Sequence, residues 1–250
     1  MKRSVQAPLL VLAGLTALWA LSVRSADRDA LRHIVQDECL PHWREAHDPA
    51  PCARVALPDS PQGYAVLADR KGGAHFLLIP TQTLTGIEDP LLLRAGAPNY
   101  FAAAWQARAR LGAVLGQDLP RDAVGLAINS ALARGQDQFH IHIECLQPPL
   151  RAALRAAAAG LSDRWAPLRL GAFSYHARRI MGAELDRSDP IAMLAAGVPG
   201  AAGSMASYTL LVAGMQFTAG PGFAVLAGST ASGTAAPAER LLDGTCALDR

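Results

Sequence analysis

Charge is scarce in this 250-residue sequence. Asp, Glu, Lys and Arg make up 18% of it and leave a formal net charge of +2. So weak a field offers little to a polyanion, and no basic stripe with interleaved aromatics runs along the chain, which argues against nucleic-acid binding. CxxC pairs are also missing. Cys39, Cys52, Cys145 and Cys246 stand apart from one another, so a zinc ribbon is excluded. No internal repeat is evident. Apolar residues are plentiful, at 51%. That composition folds rather than remaining disordered, and the length allows one large or two small domains with an ample core.

The first 26 residues form a unit of their own. Lys2 and Arg3 precede an uncharged run from Ser4 to Val23, rich in Leu, Val and Ala, with Trp19 near its far end. The run matches the ~20 residues a helix needs to cross a bilayer. Its basic flank should stay in the cytoplasm. The expectation is a retained single span. A cleaved signal peptide is the alternative, with Arg24 spoiling the small-residue cleavage site at Ser25-Ala26. Either reading exports the remainder. An even number of cysteines in an oxidising compartment then suggests two disulfides. Four cysteines allow three pairings. The economical one joins Cys39 to Cys52 and Cys145 to Cys246, the second closing a long loop worth about 3–5 kcal/mol in chain entropy.

Asp27 to Cys39 predicts a short helix with Leu31, Ile34 and Val35 on one side, stopped by Pro41. Loop is expected to Pro61. A β-hairpin follows, Tyr64 to Leu67 and Ala74 to Ile79, around Arg70-Lys71-Gly72-Gly73. Pro98-Asn99 opens a helix reaching about Gly116, with Phe101, Ala104, Trp105, Leu111 and Leu115 at helical spacing. Two strands come next, Val124 to Asn129 and Gln138 to Leu146. The second alternates strictly. Phe139, Ile141 and Ile143 share one face; His140, His142 and Glu144 share the other. An alanine-rich helix is expected from Leu150 to Trp165. Beyond it come a mixed segment around Phe173 to Met181, a short helix near Ile191 to Ala196, and a terminal hairpin of Tyr208 to Val212 with Phe223 to Leu226. This order predicts an α+β fold, an antiparallel sheet with helices packed on one face.

Two histidines on one strand face stand about 6.5–7 Å apart along the strand. Imidazoles so placed can attack a phosphorus and stabilise the charge that grows there. Gln136 precedes His140 by four residues. Asn129 ends the preceding strand, and upstream lies His75-Phe76-Leu77-Leu78-Ile79-Pro80. Together these resemble the histidine-triad superfamily, over roughly Gly63 to Leu146. The resemblance narrows with Glu38-Cys39-Leu40-Pro41, Pro51-Cys52-Ala53, Gly63 to Leu67, Trp105-Gln106-Ala107-Arg108, Ala127-Ile128-Asn129-Ser130 and His140 to Ile143 with Cys145. These are similar to segments of the bacterial CDP-diacylglycerol pyrophosphatase family.

The resemblance implies a hydrolase that releases CMP and phosphatidic acid, with His142 as nucleophile. It also implies that His140 and His75 bind phosphate oxygens, that Asn129 and Gln136 donate hydrogen bonds to the substrate, and that no metal or other cofactor is needed. Glu144 departs from the pattern, since a third histidine is usual there. A carboxylate repels phosphate unless it is protonated, turned away or paired, and Arg178 and Arg179 are the candidates for compensating charge. His140, His142 and Glu144 as metal ligands are the rival chemistry. A triad hydrolase or nucleotidyltransferase for a soluble nucleotide is the alternative function. The expected organisation is an anchor (1–26), a disulfide-bearing segment (27–62), a triad-like catalytic core (63–149) and a C-terminal helix and hairpin extension (150–250). The expected setting is the bacterial inner membrane, with the catalytic part facing the periplasm, CDP-diacylglycerol and the membrane as partners, no nucleic acid, and a homodimer allowed.

Overall fold

The alternation read from Gln138 to Leu146 is the seam of the molecule. In the computed structural model, which describes residues 27–57, 62–70, 72–231, 233 and 235–248, Phe139, Ile141 and Ile143 are buried in the largest core cluster. His142 and Glu144 occupy the opposite face. Both faces are covered there, so the polar side of the strand is as inaccessible as the apolar side.

That strand is β5, Ile141–Leu146, near the middle of a ten-stranded antiparallel sheet. The others are β1 Arg54–Ala56, β2 Tyr64–Ala68, β3 Phe76–Pro80, β4 Val124–Ile128, β6 Ala166–Leu170, β7 Phe173–Met181, β8 Tyr208–Phe217, β9 Gly220–Ser229 and β10 Leu242–Asp243. Their order is β1-β2-β3-β5-β4-β8-β9-β7-β6, and β10 pairs with the far end of β5. The C-terminal strands thus extend the same sheet. The outer edge of β4 is occupied by β8 of the same chain, so a second copy cannot add a strand there.

Helices lie on both faces, which corrects the one-face expectation. On the first face α3 (Tyr100–Ala107) and α6 (Pro190–Gly197) set Phe101, Trp105, Ile191 and Leu194 against Leu78, Leu126, Ile141 and Val212. On the second face the N-terminal helix sets Leu31, Val35 and Leu40 against Leu67, Leu77 and Ile79. Farther along that face, α5 (Pro148–Ala157) sets Leu150 and Leu154 against Leu211, Ala213 and Leu226. The reason is in the strands. Leu77, Ile79, Ala127 and Leu211 give the second face apolar ground of its own, and a sheet apolar on both sides must be covered on both.

The N-terminal helix runs past Pro41, against expectation. It consists of α1 (Ala30–His33), a π-helical stretch over Ile34–Cys39, and α2 (Leu40–Ala46). Pro41 lacks an N–H and its ring crowds the carbonyl four residues back. The wider π turn just before it accommodates both defects without ending the helix. The helix beginning at Tyr100 is capped by the Asn99 side chain, which accepts from the Ala102 N–H. It breaks at Arg108, continues as α4 (Ala109–Leu115) and ends at Gly116 with φ 65°, a left-handed conformation suited to glycine. The alanine-rich helix is shorter than expected, because Leu161 to Trp165 leads into β6 instead.

Both disulfides join the partners named by the economical pairing, Cys39–Cys52 and Cys145–Cys246. The first fixes the N-terminal helix to the segment before β1. The second fixes the C-terminal strap to β5. The expected anchor lies outside the described residues, and among those described no helix is long and apolar enough to cross a membrane.

Candidate active site

One row of side chains crosses the second face of the sheet. It runs Leu67, Leu77, His142, Ala127, Leu211, Leu226, each the cross-strand partner of the next. His142 is the one polar member. The N-terminal helix covers the row on one side of it and α5 on the other. His142 stands in the gap between them, at the floor of a cleft of about 590 Å³. Leu31, Ile34, Leu67 and Leu77 form an apolar wall of this cleft. His140, Gln136, Asp69, Arg70 and Glu239 supply its polar lining.

The three histidines named from the sequence converge. The His140 and His142 rings have centroids 5.0 Å apart at 65°, and those of His75 and His142 lie 5.3 Å apart and nearly parallel. All three are buried. His75 Nε2 is 3.1 Å from His142 Nδ1 and 3.0 Å from Glu144 Oε1. The carboxylate that departed from the triad pattern is therefore paired with His75. Arg178 and Arg179 do not serve it. They belong to β7, four places away in the sheet, and lie over Trp165 and Phe217.

His140 donates from Nδ1 to the Gln138 carbonyl at 2.7 Å, taking the imidazole as its neutral tautomer with Nδ1–H. Burial pushes its pKa below the ordinary histidine value, more than the hydrogen bond to the Gln138 carbonyl and the nearby carboxylates raise it. Nε2 is then an acceptor until a proton arrives.

Asn129 and Gln136 sit beside the histidines, and both have protein partners. Asn129 donates from Nδ2 to Glu239 Oε2 at 3.1 Å and accepts the Glu239 backbone N–H at 3.2 Å. Gln136 accepts the Leu31 N–H and donates to the Asp27 carbonyl. Arg28 reinforces that seam with two bonds to Asp137. The loop that delivers His140 is thus fastened to the start of the N-terminal helix, which sets the cleft's width.

Sequence reasoning missed Glu239. Its Oε2 lies 3.8 Å from His142 Nε2. It precedes Cys246 by seven positions in a segment with no recognisable motif. The one available signal was the expected bridge to Cys145, which returns this segment to the histidine strand. The strap is held closely. The Ala74 N–H donates to the Gly244 carbonyl at 2.9 Å, and a Cβ on Gly73 would meet that oxygen at 2.6 Å. His75, His142 and Glu144 each bring a donor atom within 4.8 Å of the others, a spacing one divalent cation could also bridge. In that set His75 takes the place expected of His140.

Buried imidazoles coupled to carboxylates at the floor of an open cleft are equipment for nucleophilic attack at an acyl or phosphoryl centre, and the comparisons with known proteins decide between the two: the chain is a hydrolase acting on a pyrophosphate bond. Residues 26–250 match the family described as CDP-diacylglycerol pyrophosphatase, and the chain belongs to that family. A relative from Yersinia pestis, itself called CDP-diacylglycerol pyrophosphatase, is 42% identical over 244 residues, covering 95% of this chain and 92% of that one.

Proposed function

We propose that the protein hydrolyses CDP-diacylglycerol to CMP and phosphatidic acid through a cytidylyl-histidine intermediate on His142. The observation that carries this reading is the line of contacts from Glu144 through His75 to His142 beneath the cleft. For Nε2 of His142 to attack the α-phosphorus, its proton must reside on Nδ1, facing His75 Nε2. His75 Nε2 must then accept. Glu144 Oε1, 3.0 Å from that same nitrogen, closes the line of contacts at its far end. Glu144 in this reading positions His75 and leaves phosphate binding to other groups.

His140 sits beside the nucleophile. An arriving pyrophosphate favours its protonation at Nε2, which lets it donate to a non-bridging oxygen as charge grows. Arg70, exposed at the rim of the cleft, supplies a cation for the second phosphate. Gln136 and Asn129 act through what they hold, the cleft wall and Glu239. The apolar wall of Leu31, Ile34, Leu67 and Leu77 suits a substrate with an apolar part. The arrangement of His75, Asn129, Gln136, His140 and His142 supports a place in the histidine-triad superfamily. The run from Ser4 to Val23 and the two disulfides support a periplasm-facing enzyme tethered to the bacterial inner membrane. Carbonate extraction of membranes and protease accessibility in spheroplasts test that placement.

The decisive experiment separates products from CDP-diacylglycerol by thin-layer chromatography for wild type and His142→Ala, with and without chelator. Loss of at least about 10⁴-fold is expected in the folded variant. Full activity in it would end the covalent mechanism. Loss in wild type on chelation would turn the His75, His142 and Glu144 cluster into a metal site. CDP-choline at equal concentration should be the poorer substrate; equal turnover would favour a soluble nucleotide as the true one.

A further inference from the structure

Glu239 has no part in the first chemical step. When His142 attacks the α-phosphorus, the group that leaves is a phosphate monoester, whose second ionisation lies near pH 6. It departs without a proton. The second step differs. Water is a weak nucleophile, and it must lose a proton as its oxygen bonds to phosphorus. A general base is needed there, within hydrogen-bond reach of the water.

The three histidines are poor candidates. His142 is the leaving group, His75 accepts from it, and His140 stands protonated against a phosphoryl oxygen in the proposed mechanism. Glu239 meets the requirement. Glu239 lines the cleft, the cavity beside His75 and Glu144, and a third cavity bounded by Leu132, Thr230 and Arg240. It therefore borders three water-accessible spaces, one of them the cleft that holds His142. Its side chain is 34% exposed, against 6% for His142, so it reaches solvent that the nucleophile does not. Oε2 lies 3.8 Å from His142 Nε2. That is beyond a hydrogen bond, and it places the carboxylate beside any phosphoryl group carried on that nitrogen. Asn129 holds both the backbone and the carboxylate, and the Cys145–Cys246 bridge secures the strap that follows. The side chain adjusts to the adduct through its own torsions, with the backbone N–H kept on Asn129 Oδ1.

We infer that Glu239 is the general base of the second step. Its carboxylate takes a proton from the water that enters on the side the phosphatidate vacated. The water oxygen bonds to phosphorus, the bond from phosphorus to His142 Nε2 breaks, and its electron pair returns to the ring as a neutral imidazole. CMP leaves and the proton passes from Glu239 to solvent. This assignment rests on the cytidylyl-histidine reading above.

The test is a rapid-quench single turnover with cytidine-labelled CDP-diacylglycerol, on wild type, Glu239→Gln and His142→Ala. Glutamine keeps the shape and can still accept from Asn129, but cannot take a proton. Glu239→Gln should release about one phosphatidate per enzyme at near the wild-type rate. It should then hold label on the protein and release CMP about 10²–10⁴-fold more slowly. Hydroxylamine, a nucleophile that needs less help from a base, should discharge the held label. Equal slowing of both products with no label retained, while wild type forms the adduct, overturns the role of Glu239 alone. No adduct in wild type, together with hydrolysis by His142→Ala, overturns the covalent reading and this assignment with it.

Discussion

In the N-terminal half the chain runs helix, hairpin β2–β3, helices α3 and α4, and the pair β4–β5. In the C-terminal half it runs α5, hairpin β6–β7, α6, and the pair β8–β9. The two sets meet antiparallel at β4 and β8, so the sheet reads outward in the same sequence of strands on either side. On the second face β5 presents His142 and Glu144. The strand in the same place on the other side, β9, presents Ala224 and Leu226, sealed by α5. The plan is shared while the three histidines are confined to one half. The second half gives the site a rigid neighbour and a covering strap. It also closes the β4 edge that would otherwise need protection.

Breaking the one covalent link between the halves' far ends should have the largest effect. The Cys145–Cys246 bridge closes a separation of 101 residues. Replacing both by Ala should cost about 4–5 kcal/mol, read as the shift of a denaturant midpoint. It should also lower activity in the protein that remains folded, because the strap carrying Glu239 and Gly244 loosens. Unchanged activity would show that the strap holds itself in place.

A pair of substitutions sharpens the contrast within one face. Leu226→Ala empties a buried position and should cost about 2–5 kcal/mol of stability, with kcat unchanged below the melting range. Glu144→Leu should do the reverse, lowering kcat by about 10²-fold (roughly 2.7 kcal/mol) with little loss of stability. Glu144→Gln should retain more activity than Glu144→Leu, since an amide keeps a polar partner beside His75 Nε2 that leucine removes. Equal loss in both would mean that negative charge, rather than a polar contact to His75, is what activity requires.

The catalytic half was the more legible in sequence, for a physical reason. A strict period of two survives in β5 because its two faces differ, and His75 is found by the apolar run to Pro80 that follows it. The C-terminal half carries no such contrast. The duplication of plan is invisible because apolar residues recur in both halves without repeating in kind. Strand β6 is an exposed edge with Pro167 within it, which effaces the usual signal. The continuation past Pro41 depended on a π turn that no propensity announces. Glu239 is in place only because a bridge and a side-chain pair, both distant in sequence, return its segment to the histidines.

The smallest effect is one of pH, and it should belong to the N-terminal half alone. Burial holds the His140 pKa below its ordinary value near 6.5, so the folded chain leaves this ring neutral where the unfolded chain begins to protonate it. Over that interval the unfolded state binds the extra proton. Stability therefore falls as pH drops through about 6.5, until the lower folded pKa is reached, by at most about 1.4 kcal/mol per pH unit for a single ring. His140→Gln removes the ring and should flatten that part of the slope, measured as melting temperature between pH 7.5 and pH 5.5. His75 and His142 are present in both proteins, so the difference between the two curves isolates His140. Leu226→Ala should melt lower at every pH and keep the wild-type slope. A His140→Gln protein with an unaltered slope would place the acid sensitivity elsewhere, and would take from the cleft the neutral imidazole on which the protonation step at His140 depends.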